Sequence, residues 1–517
     1  MNINHNSEVR YNFSKQEYYS ALQLTLPVDI SYSVDLDDPV RTFMDVMGGI
    51  NLGKYFKRTR RGREGYNDTT LLKIVLFAYM ENIRSLRAIE KACRTDIRFM
   101  WLSNGIKPSH MAFQRFISDR LIKEIDLIFY EINSYLIEKD NINTDALYID
   151  GTKIEANARK FSFVWKKSIL NYQEKLFEKI SVELKYLNLS LDVNYEIKES
   201  YGPSELLMIY MYLFNECTNK NITFVYGKGR RKTVQQRFYE KFKAYHDKLK
   251  EYEEHLRICG DRNSYSKTDH DATFMHGKED YYNKTGIFKP YYNLQIGVSD
   301  EYILHMGVFP NPTDTKTWVP FLESYRDRYG KLPLYPVADA GYGSYDNYMY
   351  CLQNNIGLYM KYNNYEKEKT TKHKKDPYHI KNMVKDGNQF VSDDGFIYKY
   401  SHDSIGRYTE NLSITQIYKL DDEQLELAKE KGAPKSRSYN PVLIEFQETA
   451  VKNLATEQGI KFRTNRSYQA EGAFGDIKHN MEYERIQRRG KQNVENELYL
   501  ICIGYNLRKF HNKKYRN

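Results

Sequence analysis

A chain of 517 residues exceeds what one hydrophobic core can organise, so it divides into roughly two to four domains or one domain with large insertions. The formal net charge of +10 favours a polyanionic partner. Cys93, Cys217, Cys259, Cys351 and Cys502 are too scattered for structural zinc or a disulfide framework, and no apolar run approaches the roughly 20 residues that span a bilayer.

The first residues, Met1-Asn-Ile-Asn-His-Asn-Ser-Glu, lack the blocks of an export signal, so a soluble, cytoplasmic protein with no membrane role is expected. Residues 1–35 read as an irregular arm. Over 36–140 the pattern turns helical, with Leu71, Leu72, Ile74, Val75 and Ala78 at helix spacing, followed by Ile83, Leu86, Ile89 and Cys93. Ser109 caps a longer predicted helix through Phe113, Phe116, Leu121, Ile125 and Phe129. With Arg84, Arg87, Arg94, Arg115 and Arg120 this region suits a DNA-binding helical domain as well as a plain scaffold. The basic run carrying Lys57, Arg58, Arg60 and Arg61 fits double-stranded DNA, because each neutralised phosphate releases counterions, and it also fits a solvated loop.

From residue 141 to 517 strands dominate the framework. Ala146-Leu-Tyr-Ile-Asp150 is a short strand, Tyr291 to Val298 and Tyr302 to Val308 form a hairpin turning at Asp300-Glu301, and Leu334-Tyr-Pro-Val-Ala338 delivers Asp339. A strand over Ile356 to Tyr362 follows a helix capped by Thr313-Asp314-Thr315. This succession predicts an α/β fold: a ribonuclease H-like catalytic core, a mixed sheet flanked by helices, preceded by an all-α domain. Two stretches look inserted. Residues 165–258 carry paired amphipathic helices, and 364–440 are polar with a hairpin near Phe390 and Tyr400.

Asp150 and Asp339 sit where strands end, and Glu471 lies on a late helix. At about 100° per residue, Glu471, Gly475 and Lys478 share one stripe while Phe474, Ile477 and Met481 share an apolar one. Three carboxylates on rigid elements suit Mg2+, two ions with Mn2+ able to substitute, acting on phosphodiesters. Glu155 falls on the opposite strand face from Asp150, and Asp269 and Asp271 are rivals better read as turn caps. Lys478 is placed to hold a DNA phosphate or to pair with Glu471, and Arg466, Arg485, Arg488 and Arg489 could extend that track.

Asp150-Gly-Thr-Lys-Ile-Glu-Ala-Asn157, Thr268-Asp-His-Asp-Ala-Thr-Phe-Met275, Asn311-Pro-Thr-Asp-Thr315, Ala338-Asp-Ala-Gly-Tyr-Gly343, Gln469-Ala-Glu-Gly-Ala-Phe-Gly-Asp-Ile-Lys478 and Tyr505-Asn-Leu-Arg-Lys509 together resemble blocks of the DDE transposases of bacterial insertion sequences. The resemblance is to the group numbered eleven eighty-two, related to the wider insertion-sequence-four/five superfamily, and covers nearly the whole chain. It implies Asp150, Asp339 and Glu471 as catalytic, metal-binding residues, Lys478 as the matching lysine, and a transposase that binds terminal inverted repeats, cleaves DNA and transfers strands, working as a homodimer. Arg466 stands one residue farther from Glu471 than the family's related spacing, and the cysteines of many relatives have no counterpart in 364–440, so a zinc-stabilised insertion is not carried over. A catalytically inactive or domesticated form acting as a DNA-binding repressor is the alternative.

Overall fold

The computed structural model describes residues 34–56, 65–227, 231–279, 286–407 and 409–515. Lys57, Arg58, Arg60 and Arg61, and nearly all of the N-terminal arm, lie outside the described residues. The architecture is mixed α/β. Its first eight strands are β1 (Ala146–Glu155), β2 (Phe163–Trp165), β3 (Ser264–Ser266), β4 (Thr273–Glu279), β5 (Gly286–Ser299), β6 (Tyr302–Phe309), β7 (Tyr335–Ala338) and β8 (Tyr359–Met360).

Six of these form the central sheet in the order β4-β5-β1-β7-β8, with β6 also paired to β5. β5 has fourteen residues, long enough to pair β4 with its first half and β6 with its second along one edge. Its other edge runs antiparallel to β1, whereas β7 and β8 continue the sheet in parallel. The tight hairpin forms as expected, because Asp300 and Glu301 both adopt positive φ, 47° and 69°, which matches the twist of the strands they join. β1 runs five residues beyond Asp150, since Gly151 to Glu155 find partners along β5. Asp150 is therefore inside a strand, and what stops near it is the pairing with β7.

Asn67 caps the helix Asp68–Met80 by accepting from the amides of Thr69 and Thr70, and Leu71, Leu72 and every residue from 74 to 80 are buried. A helix apolar all round must be covered on all sides. The terminal helix Lys491–Lys514 does part of this, and the two backbones come so close that a Cβ on Gly504 would stand 2.7 Å from the Tyr79 carbonyl. The same terminal helix reaches the sheet through Asn506, which is fully buried. Its side chain accepts from the Ile303 amide at 2.9 Å and donates to the Ile303 carbonyl and to Asn133 Oδ1, each at 2.8 Å. One core thus joins the N-terminal helices, the sheet and the terminal helix. Ser109 does cap a helix, but His110–Arg115 passes into a π turn and a 3₁₀ turn before Ile125–Lys139, so the long helix is broken.

Two smaller cores stand apart in sequence. One packs the helices Lys166–Leu191, Pro203–Asn219 and Val234–Cys259, with Leu176, Ile180, Leu184 and Leu187 facing inward as their spacing predicts. The other belongs to an antiparallel sheet of β9 (Val384–Asp386), β10 (Gln389–Val391), β11 (Ile397–Ile405), β12 (Ile414–Leu420) and β13 (Ser436–Tyr439), larger than the single hairpin expected. Among the described residues no helix is long and apolar enough to cross a membrane.

Candidate active site

The parallel pairing of β1 and β7 ends at Tyr148 opposite Val337. Asp150 and Asp339 each follow two residues later, so the strand period of two turns both carboxylates to the same face on neighbouring strands. Asp339 then starts a 3₁₀ turn, Ala340–Tyr342, and its Oδ1 accepts from the Gly341 amide at 2.8 Å. Glu155, five residues past Asp150, faces the other way and pairs with Lys289 at 2.5 Å.

Glu471 arrives from a helix that is not regular. Glu457–Arg466 continues into a π turn, Ser467–Glu471, a short α segment, Gly472–Gly475, and a second π turn, Asp476–Asn480. A π turn bonds five residues apart instead of four, so it takes up an additional residue without breaking the helix. That is why Arg466, five positions before Glu471, still lies against it. Its guanidinium donates to Glu471 Oε1 at 2.8 Å and stands 3.7 Å from Asp150 Oδ1. Ser467 Oγ also donates to Glu471, at 3.0 Å. The expected 100° stripe is corrected accordingly: Lys478 donates to Thr152 Oγ1 at 2.5 Å, whereas Glu471 is held by Arg466 and Ser467. Phe474 and Ile477 are buried as the apolar stripe requires, with Met481 packed beside them.

Arg466 is a cation set between two carboxylates. Asp150 and Arg466 are only 17% and 18% exposed, whereas Glu471 is 52% exposed. Burial raises the Asp150 carboxyl to about 6, Arg466 opposes that rise, and the charges of Asp339 and Glu471 add to it. The oxygens of Asp150, Asp339 and Glu471 do not all lie within 4.8 Å of one another. Three carboxylates on adjoining elements offer the hard oxygen donors that a divalent ion of the magnesium type takes, and burial, with smaller additions from the charges of Asp339 and Glu471, makes the ionised Asp150 costly without a cation beyond Arg466. The donor set therefore fits such an ion, with Asp150, Asp339 and Glu471 as the residues to hold it.

A fourth acid escaped sequence reasoning. Asp314 does not cap the following helix, Trp318–Tyr329. It accepts from Asn293 Nδ2 and Gln295 Nε2, both at 2.8 Å, and Gln295 in turn accepts from the Tyr342 hydroxyl. A Cβ on Gly151 would stand 2.9 Å from Asp314 Oδ1, and one on Gly341 would stand 3.5 Å from Oδ2, so Asp314 sits between the tips that carry Asp150 and Asp339. The signal was the pair of amides, Asn293 and Gln295, alternating on β5 among apolar neighbours. Asp314, Lys153, His276 and Lys478 line one cleft beside β1.

The other expected residues are dispersed or structural. Arg485 lies 3.8 Å from Glu155, Arg489 Nε donates to the Asn157 carbonyl at 2.6 Å, and the Arg488 amide donates to Glu497 at 3.0 Å. Asp269 and Asp271 accept from the amides of Gly490 and Lys491, so they fix the start of the terminal helix from a distance in sequence. In the N-terminal region Arg120 is paired with Asp68 and Arg94 with Glu90.

Residues 426–511 match a family model described as Transposase DDE domain, and residues 29–119 match one described as Transposase domain (DUF772). Glu471 and Lys478 fall inside the first segment, whereas Asp150 and Asp339 lie outside both. No match is found among curated proteins or solved structures. The two family matches support a transposase in general terms.

Proposed function

We propose that this chain is an insertion-sequence transposase that binds terminal repeats and carries out cleavage and strand transfer at Asp150, Asp339 and Glu471, on a ribonuclease H-like core. The reading rests on one observation above all: the β1 and β7 register turns Asp150 and Asp339 to one face, beside the helix that carries Glu471. The antiparallel trio β6-β5-β1 extended in parallel by β7 and β8 supports the fold assignment, and the two transposase family matches support the function.

Asp150, Asp339 and Glu471 would hold divalent ions, which when bound activate the attacking oxygen and stabilise the leaving one. The protein's own groups do the rest. Asp314, fixed by Asn293 and Gln295, stiffens the strand tips and adds negative charge behind them. Arg466 offsets the Asp150 and Glu471 charges before DNA arrives and offers a guanidinium to a phosphate afterwards. Lys478, anchored at Thr152, presents an ammonium to the backbone of the DNA end. The protein acts in the cytoplasm, two copies bring two ends together, and the 36–140 helices contribute to end binding.

Labelled element ends, a target plasmid and Mg2+ test this. The native protein should cut and join, while Asp150→Ala, Asp339→Ala and Glu471→Ala should bind the ends without cutting. Unchanged cleavage in all three variants would refute the assignment, and binding without any cleavage by the native protein would make it a repressor.

A further inference from the structure

The stretch over residues 364–382 has little apolar material. Its helices, Tyr365–Glu368 and Thr371–Lys374, have four residues each, and the 3₁₀ turn Ile380–Asn382 follows. Of the residues in these three elements only Tyr365 is buried. Helices this short do not persist in water without outside support. The chain assembles a polar junction there instead. Glu368, His373 and His379 each bring a ligand atom within 4.8 Å of the other two, and among the described residues no other such group occurs.

Two features separate this junction from an ordinary polar surface. The imidazole rings of His373 and His379 lie 4.2 Å apart between centres, both half-buried, yet among the described residues no hydrogen bond or ion pair engages a ring nitrogen of either. Their ring nitrogens are therefore available as ligands. The Glu368 carboxylate receives Tyr362 Oη at 2.5 Å and Lys381 Nζ at 3.1 Å, both on Oε2, which leaves Oε1 as a donor site. The backbone is already shaped for the task. Asn382 Nδ2 donates to the carbonyls of His373, Lys374 and Asp376 at 3.1, 3.4 and 2.9 Å, tying the His373 turn to the turn that carries His379.

We propose that Glu368, His373 and His379 bind one transition-metal ion, zinc by donor chemistry, which clasps the two short helices and the following turn together. Two imidazole nitrogens and one carboxylate oxygen form a borderline donor set, whereas Mg2+ takes shells of oxygen. The site is therefore chemically distinct from the all-carboxylate group at Asp150. Lys381 neutralises Glu368 while the ion is absent, so weakly held cations gain little there.

Full-length protein is stripped with a chelator and titrated with Co2+, then with Zn2+. The expected result is one equivalent of cobalt with the intense visible absorption of a four-coordinate ion, displaced by zinc and retained in the Asp150→Ala/Asp339→Ala double variant. His373→Ala and His379→Ala should each weaken binding by more than about 100-fold, beyond what loss of a supporting residue costs. Glu368→Gln keeps the side-chain shape and should weaken binding similarly, and circular dichroism identifies any variant that has not folded. Absence of the cobalt band in the native protein, its survival in both folded histidine variants, or its loss in the aspartate double variant would overturn the proposal.

Discussion

Asp150→Asn should stabilise the protein while disabling its site, and the size of the effect follows from the surroundings of this carboxyl. Burial is the main cause that lifts it from 3.8 to about 6, against the pull of Arg466 and with help from Asp339 and Glu471. Below pH 3.8 the group is protonated in both folded and unfolded chains. Between pH 3.8 and about 6 the unfolded chain ionises first, so stability is lost across that window and stays lower above it. At about 1.4 kcal/mol per unit the full cost is on the order of 3 kcal/mol, and retained interactions with Arg466 reduce what asparagine recovers to about 1–3 kcal/mol. For a large core this corresponds to a midpoint rise of several degrees, roughly 2–4 °C per kcal/mol. Thermal unfolding in chelator near neutral pH should show the variant ahead of the native protein, and the gap should close as the pH is lowered toward 4. Added Mg2+ should raise only the native midpoint, because binding to the folded state alone stabilises it. A variant no more stable than the native protein in chelator, or one that Mg2+ stabilises equally, would refute the reasoning.

Gly504→Ala should destabilise by about 1–3 kcal/mol or more, read from the denaturant midpoint, because its methyl would press on backbone atoms of Tyr79 that cannot step aside. Asn506→Leu should cost on the order of 3 kcal/mol by the same measurement, since it strands the buried amide of Ile303 and removes the donor to Asn133 Oδ1. His305 is held neutral, its pKa lowered to about 3 by burial between Tyr130 and Ser324. The unfolded chain takes up its proton below about pH 6.5, so stability should fall on acidification by about 1.4 kcal/mol per pH unit, and His305→Gln should lose that component of the slope. Lys478→Ala should bind element ends more weakly with a salt dependence shallower by about one phosphate contact, measured by titrations at several salt concentrations.

The placement of Asp150 and Asp339 could be read from residue order, because two aspartates placed after apolar strand runs obey the strand period and do share a face. The hairpin at Asp300 and Glu301 was legible for a similar reason, since local turn chemistry decides it. The π turns were not. Helical periodicity assumes a constant angle, and nothing in Ser467-Tyr-Gln-Ala-Glu471 marks the wider turn that brings Arg466 onto Glu471. Asp314 looked like a helix cap because its partners, Asn293 and Gln295, lie some twenty residues earlier on another strand. The length of β1 was hidden likewise, because Gly151-Thr-Lys extends only by virtue of the partner that β5 supplies.

The terminal helix has a practical corollary. Its apolar surface is shared between helices from the beginning of the chain and strands from the middle, through Gly504 on one side and Asn506 on the other. A ribosome must therefore release the helix Lys491–Lys514 before either neighbour is sealed, and a nonsense codon anywhere upstream of residue 491 would leave both with bare apolar flanks, prey for proteases.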